Sequence, residues 1–134
     1  MKMAARQSLV TIEGIPGRWA TKTGGNINAD TTPVWDGGEI DPEILAGPAS
    51  AENVTVSRPF DDQRDLPEIA RLRRLVGKYR ATITVQHTDA DLFPIGEPTV
   101  YSDALLVTLN EPEYDAASGD PKRIELVWAV PKFS

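Results

Sequence analysis

The chain has 134 residues, a hydrophobic content of 40% and a formal net charge of −6. This length and apolar content predict one domain, residues 1–134, that is large enough to bury a core. The absence of cysteine excludes disulfides and thiolate catalysis, and the acidic balance argues against tight binding to nucleic acid, whose phosphates it repels.

Most of the predicted elements are β-strands, each bounded by Gly, Pro, Asn or Asp. The candidates, in chain order, are residues 9–15, 18–22, 32–35, 53–58, 79–87, 104–109 and 123–130. The clearest is 79–87, because apolar side chains at its odd-numbered positions from 79 to 85 alternate with polar ones at the even-numbered positions. One face of this strand should be core, and the other should face water or a partner.

A long segment at about residues 36–52 is predicted to be an irregular loop. It lies within residues 29–62, which carry eight acidic side chains and one basic side chain. It begins with two glycines after a tryptophan, and it holds apolar side chains that are poorly placed in water. The residues concerned are Trp35, Gly37, Gly38, Glu39, Ile40, Ile44 and Leu45. We expect the loop to dock on something outside the domain; the alternative is that its apolar side chains fold back on the domain's own core.

One helix is predicted, at about residues 65–76. Asp65 and Glu68 have the spacing of a capping box, Pro67 suits the first turn, and Gly77 can form the C-cap. The apolar positions that should form one stripe against a sheet are Leu66, Ile69, Leu72 and Val76, joined by Ala70 and Leu75.

The opposite face of the helix is basic and comprises Arg71, Arg73, Arg74 and Lys78. Such a face could meet an acidic surface on another copy of the chain. The alternative is an ordinary solvated surface.

About seven strands and one helix favour a mainly β fold, an antiparallel sandwich or barrel with one flanking helix. No apolar segment follows the basic residues at the start, and no later stretch is long and apolar enough to span a membrane. We therefore expect a soluble protein without an export signal or membrane insertion.

Motifs of catalysis and cofactor binding are missing from the sequence, which lacks a nucleophile elbow, a Walker loop, H-E-x-x-H and the full dinucleotide glycine fingerprint. His87 is the sole histidine and is better explained by its place at a strand end. Asp89 and Asp91 have calcium-loop spacing, but no glycine or distal glutamate follows, which favours an acidic turn. We predict no catalytic, cofactor or metal site, and no enzyme.

The three tryptophans, Trp19, Trp35 and Trp128, lie in predicted strands without interleaved basic residues. This placement is typical of core or interface anchors and not of a platform for stacking bases.

Several short segments together resemble the major tail tube protein of long-tailed, siphovirus-like bacteriophages. They are residues 35–39 (WDGGE), 53–61 (NVTVSRPFD), 64–65 (RD), 81–86 (ATITVQ), 99–105 (TVYSDAL) and 124–126 (IEL). The resemblance covers about residues 8 to 130. It implies the β-sandwich of a virion structural protein, similar also to inner-tube proteins of contractile tails and type VI secretion.

The resemblance further implies self-assembly into hexameric rings, stacked as a hollow tube through which DNA passes to the host during ejection. The implied partners are further copies of the chain and the tape measure, terminator and distal tail proteins, with assembly in the host cytoplasm and a final place in the virion tail. By this analogy residues 35–52 form a stacking loop, and the polar face of the 79–87 strand lines the lumen or contacts another subunit.

An acidic lumen would repel DNA, although the basic residues among the first 28 would weaken that effect if they lined the pore. The alternatives are a tail terminator or adaptor ring of the same fold, or a small β-barrel binding protein or enzyme with His87, Asp89 and Asp91 as its polar centre.

Overall fold

A computed structural model describes residues 2–4, 6–35, 37–38, 40–112, 116–117 and 119–133. Its elements, in chain order, are β1 (Ser8–Ile12), β2 (Ile15–Trp19), β3 (Thr21–Gly24), β4 (Ile27–Val34), β5 (Glu43–Ala51), β6 (Val54–Pro59), α1 (Leu66–Leu75), β7 (Arg80–His87), β8 (Thr99–Asn110), β9 (Arg123–Ala129) and β10 (Lys132–Phe133). The expected fold class, mainly β with antiparallel strands and one helix, is confirmed.

The main sheet curves around one core as a barrel. Its strand order is β2-β1-β7-β8-β9-β6-β3, all pairs are antiparallel, and β10 pairs with β8 beyond the end of β9. The two strands at the ends of this order, β2 and β3, are consecutive in the chain and are separated only by Ala20. The Ala20 N–H donates to the Ser57 carbonyl at 3.1 Å, which joins the β2–β3 corner to β6. The two end strands do not pair with each other, so this corner joins the barrel through a turn of the chain and not through a strand ladder.

The barrel interior holds the core. The buried apolar residues, including Leu72 of the helix, are Val10, Ile12, Ile15, Trp19, Val54, Val56, Leu72, Ala81, Ile83, Val85, Tyr101, Ala104, Leu106, Ile124, Leu126, Trp128 and Val130. The alternation predicted for residues 79–87 is confirmed, because the odd positions from 81 to 85 are buried and the even positions are not. Trp19 and Trp128 are core residues as expected, whereas Trp35 is exposed.

The predicted strand at residues 9–15 is wrong in its second half. Glu13 and Gly14 form a turn between β1 and β2, and β2 continues almost directly into β3. Apolar residues on both sides of this turn, Ile12 and Ile15, concealed it, because both point into the core. The remaining predicted strands are present, and several extend further than expected.

Helix α1 lies within the predicted range, but its buried stripe is narrower than predicted. Leu72 is fully buried, Ile69 and Leu75 are half-buried, and Leu66, Ala70 and Val76 are exposed. The helix has only ten residues and contacts mainly β8, so one side of it suffices to cover the core. As predicted, Gly77 ends it in a left-handed conformation, with φ +83°.

The predicted capping box is wrong. The Asp65 side chain makes no cap hydrogen bond and is instead buried, where its carboxylate accepts from Arg58, from Arg64 and, at 3.0 Å, from the Asp61 N–H. Glu68 pairs with Arg71. A buried guanidinium competes better for the carboxylate than a backbone amide does, because an unpaired buried charge is costly.

The predicted loop at residues 36–52 is also wrong. Residues Glu43–Ala51 form β5, which pairs with β4 in a separate two-stranded sheet, so the connecting loop is reduced to residues 35–42. Of the loop residues named above, Glu39 lies outside the described residues, as does Asp36. Gly47 and Pro48 within β5 concealed the strand, since both residues are rare in sheet interiors and are typical of edge strands and bulges.

Candidate assembly interface

The β4–β5 hairpin is the most exposed part of the described chain. Every residue of its two strands is exposed except the last, Ala51, which is half-buried. Trp35 exposes 62% of its surface and Ile40 exposes 91%, while Ile44 and Leu45 are also exposed. The apolar side chains therefore do not fold back on the barrel, which contradicts the alternative considered from the sequence.

Both faces of the hairpin carry apolar side chains. Ile44 is paired with Pro33 and Leu45 with Thr32, and neighbouring residues of a strand point to opposite faces. Among the described residues, the two strands pair only with each other, so the outer edges of the hairpin carry no further strand. A two-stranded hairpin alone is marginally stable in water. This geometry suits an element that is buried between other molecules.

The root of the hairpin is held in a fixed arrangement. The Glu52 N–H donates to the Asn26 carbonyl at 2.9 Å, and the Glu52 carboxylate accepts from the side-chain amides of Asn26 and Asn28, at 3.2 Å each. Gly25 has φ +74°, and a Cβ there would lie 2.7 Å from Tyr101 Oη. Only glycine fits this close, left-handed turn, so the sequence fixes where the hairpin leaves the barrel.

The hairpin and its root are uniformly acidic. Residues 26–53 contain six acidic side chains, Asp30, Asp36, Glu39, Asp41, Glu43 and Glu52, and no lysine or arginine. A partner surface that covers this segment must therefore be apolar or basic.

The basic face expected on the helix is partly engaged within the chain. Arg71 pairs with Glu68 and donates to the Gly14 carbonyl, and Arg73 pairs with Glu111. The hydrogen bonds that Arg71 and Arg73 donate to these carboxylates raise the pKa of both arginines. The hydrogen bond from Arg73 also lowers the pKa of Glu111. Arg74 and Lys78 form no ion pair with a described residue, so they dominate the charge of this face.

His87, Asp89 and Asp91, the polar centre of the alternative binding protein or enzyme, do not form a joint site. The Asp89 carboxylate accepts from the backbone N–H groups of Asp91 and Phe93, at 2.9 and 3.0 Å, which is the acidic turn favoured from the sequence. His87 Nδ1 lies 3.3 Å from Ser8 Oγ. In the part of the chain that the structure describes, no group of three His, Asp or Glu side chains could hold a metal ion.

A second exposed apolar cluster was missed from the sequence. Leu92, Phe93 and Ile95 project from the β7–β8 connection, and Phe93 exposes 66% of its surface. The signal was present as Leu-Phe-Pro-Ile inside an acidic turn.

Among the described residues, no helix has the length and apolar character needed to cross a membrane.

No protein-family model matches the sequence, and no curated protein matches it either. Solved structures do share its fold. A component of the sheath/tube terminator of an extracellular contractile injection system (PVC, extended state) superposes with a TM-score of 0.83 at 19% identity, covering 100% of this chain and 96% of that chain. A component of the tube-terminating cap of the anti-feeding prophage gives 0.82 at 19% identity, covering 100% and 90%.

A component of a native gene transfer agent virion gives a TM-score of 0.64 at 16% identity, covering 99% of this chain and 98% of that chain. The chain therefore has the fold found in tubes and terminators of phage-like particles, as the resemblance implied. These neighbours belong to contractile injection systems and a gene transfer agent. The narrower assignment to long-tailed phages stays a prediction.

Proposed function

We propose that this chain is a structural subunit, without enzymatic activity, of the tube of a phage-like tail or injection particle. Copies assemble into rings, and the rings stack into a hollow tube. The observation that carries this proposal is the β4–β5 hairpin, which exposes apolar side chains on both faces and unpaired strand edges while its root is rigidly fixed. The shared fold with tube and terminator components supports the same conclusion.

In this proposal the hairpin is the main contact between copies. Its apolar faces lie against neighbouring subunits, and its edges pair with strands of those subunits. This pairing protects the hairpin edges from uncontrolled aggregation. The contact residues are Trp35, Gly37, Gly38, Glu39, Ile40, Ile44 and Leu45, with Arg71, Arg73 and Arg74 on a second surface. An isolated hairpin with these exposures is better explained by such burial than by permanent contact with water.

The finer properties rest on the resemblance. We infer hexameric rings, a lumen through which double-stranded DNA passes without sticking to the acidic subunits, and contacts with tape measure, terminator and distal tail proteins at the ends of the tube. The subunits would assemble in the host cytoplasm and end in the particle's tail.

A second candidate function is that of a terminator, a single ring that caps a tube and does not polymerise. The structural likeness to a sheath/tube terminator and a tube-terminating cap favours it as much as it favours a tube subunit.

Negative-stain electron microscopy and analytical ultracentrifugation of the purified chain test the proposal. We expect rings that grow into tubes as concentration rises. Rings that never lengthen would identify a terminator, and a compact monomer at the highest attainable concentration would refute both functions.

A further inference from the structure

The connection between β7 and β8, residues 88–98, is a rigid loop that presents apolar side chains to solvent. The carboxylate of Asp89 holds its turn, as described above, and the Asp89 N–H donates to the Phe93 carbonyl at 3.0 Å. The Gln86 side-chain amide donates to the carbonyls of His87, Ile95 and Gly96, at 3.0, 3.1 and 3.3 Å. A loop fixed in this way loses little conformational entropy when it binds.

The backbone at Leu92 has an unusual conformation. Leu92 has φ +65°, a left-handed conformation that glycine, asparagine and aspartate adopt far more readily. Its side chain is about half exposed, so burial within the chain does not compensate this strain. Strained residues of this kind are concentrated at functional sites.

An open groove lies at the other end of β8. It has a volume of about 630 Å³ and is lined by Arg73 and Val76 of the helix end and by residues 107–111. Val76, Val107 and Leu109 make the smaller part of its surface apolar, and the larger part is polar, contributed by Arg73, Thr108, Asn110 and Glu111. The groove is a shallow depression that is open to solvent, and its volume leaves room for a phenylalanine and a leucine side chain to lie against it.

The loop and the groove cannot meet within one chain. The groove residues of β8 begin eight positions after Thr99, the start of the strand, and at about 3.3 Å per residue the strand places Val107 and Leu109 roughly 25 to 33 Å from the loop. They lie at opposite ends of the same strand, so a contact between the loop of one copy and the groove of another is heterologous. Heterologous contacts that do not close continue along an axis, as the stacking of rings requires.

The charges of the two surfaces are complementary. Residues 88–98 contain three acidic side chains, Asp89, Asp91 and Glu97, and no basic one. The helix end that forms one wall of the groove carries Arg73, Arg74 and Lys78. Arg73 is paired with Glu111, which also lines the groove, whereas Arg74 and Lys78 have no carboxylate partner among the described residues. Opposite charges at the rim favour this docking orientation over contacts between like ends.

We propose that the β7–β8 loop of one copy inserts Leu92 and Phe93 into the groove between α1 and β8 of a second copy, as a head-to-tail contact between stacked subunits. This inference rests on the proposed tube function and adds to it a contact that is separate from the β4–β5 hairpin. The hairpin and the loop then act together in assembly.

Disulfide trapping tests this contact directly, because the natural chain has no cysteine. Under oxidising conditions, the double variant Phe93→Cys/Leu109→Cys should give a ladder of covalent multimers on a non-reducing gel. Each single variant should give no ladder, and neither should the control pair Phe93→Cys/Thr11→Cys, whose second cysteine lies on the exposed face of β1. If the test pair gives no more multimers than the control pair while the wild type forms tubes, the docking inference is wrong and the tube function stands.

A second measurement uses single exposed side chains. Because Phe93 is exposed in the monomer, Phe93→Ser should fold normally and raise the critical concentration for tube growth about tenfold or more, the loss typical of a buried aromatic anchor. Leu66→Ser, a change at a similarly exposed apolar residue (58% against 66% for Phe93) at the far end of the helix, should change the critical concentration less than about twofold. Equal effects of the two substitutions would overturn the inference, and a wild type that never forms rings or tubes would overturn the proposed function as well.

Discussion

At the scale of single residues, the buried ion pair of Arg58 and Asp65 joins three separate parts of the chain. Arg58 lies on β6, its guanidinium is 4.1 Å from the ring centroid of Trp19, and its Nη1 donates to the Pro16 carbonyl at 2.6 Å. Asp65 lies just before the helix and also accepts from Arg64. The pair therefore holds the start of the helix and the β2 end of the barrel against β6.

The titration of Asp65 reflects these contacts. Burial by itself raises its pKa, but hydrogen bonds from Arg64 and the Asp61 N–H, and the charge and hydrogen bond of Arg58, outweigh burial and leave the pKa below its ordinary value. A carboxyl whose pKa is lowered by folding stabilises the fold above its unfolded pKa of about 4. That stability is lost as the pH falls through the lower folded pKa.

Asp65→Asn should destabilise the fold by about 3–5 kcal/mol, because it leaves the Arg58 charge buried without its partner. Urea unfolding at pH 7 measures this loss. Repeated between pH 6 and pH 2, it should show a weaker fall in stability below about pH 4 for the variant than for the wild type. The control Asp62→Asn, at an exposed position, should stay within about 0.5 kcal/mol. Parallel pH profiles for wild type and Asp65→Asn would contradict this role.

The sequence pointed to Asp65 but not to its partner. Local spacing predicted a cap with Glu68, since capping depends only on neighbours along the chain. The pairing with Arg58 depends on how the chain turns between Pro59 and Asp65 and on the closing of β2 against β6, which are tertiary features. Both partners are charged and seven positions apart, so no periodic pattern revealed that they would be buried together.

At the scale of elements, the hairpin is separable from the barrel. It forms its own sheet, and its ends meet where the Glu52 N–H donates to the Asn26 carbonyl. Removing it would leave a gap that a two-residue turn can close. Of the residues of β4 and β5, only the half-buried Ala51 packs against the barrel core, so the stability of the core should depend little on the hairpin.

Replacing residues 27–51 by Asn-Gly should therefore give a folded protein that does not assemble. Circular dichroism and thermal unfolding should show a cooperative β protein, while electron microscopy shows no tubes at concentrations where the wild type forms them. Within the full chain, Ile44→Ser should weaken assembly and Thr32→Ser, a polar change in the same hairpin, should not. Normal tubes from the shortened chain would exclude the hairpin as a stacking element.

The elements that were predicted correctly are those with a strong local pattern. The alternation of residues 79–87 and the periodicity of the helix follow from burial on one side, which is visible in the sequence. The hairpin has no buried side, so its strands carry no alternation to detect, and its Pro33, Gly47 and Pro48 resemble loop residues. Its exposed apolar residues were nevertheless identified, because they are anomalous in any solvated segment.

At the scale of the whole molecule, charge is divided between surfaces that can face each other in an assembly. All charged residues of the hairpin segment and of the β7–β8 loop are acidic, whereas the end of the helix is basic. Arg71 and Arg73 already pair within the chain, so reversing them would disturb the subunit itself. Arg74 and Lys78 are the positions at which attraction between copies can be tested without breaking an ion pair among the described residues.

Reversing both charges, Arg74→Glu/Lys78→Glu, should weaken tube formation most at low salt, because exposed charges are screened over about 8 Å at physiological ionic strength. The wild type should assemble less readily as salt rises, and the variant more readily, since its repulsion is screened.

The double reversal changes the net charge from −6 to −10, two units at each position. The control Arg18→Glu/Lys122→Glu makes the same change at exposed positions away from the helix. Both variants have the same net charge, so a difference between their assembly curves, measured by light scattering against salt concentration, reports the local contact at the helix end. Identical curves would show that assembly depends only on net charge and would contradict this contact.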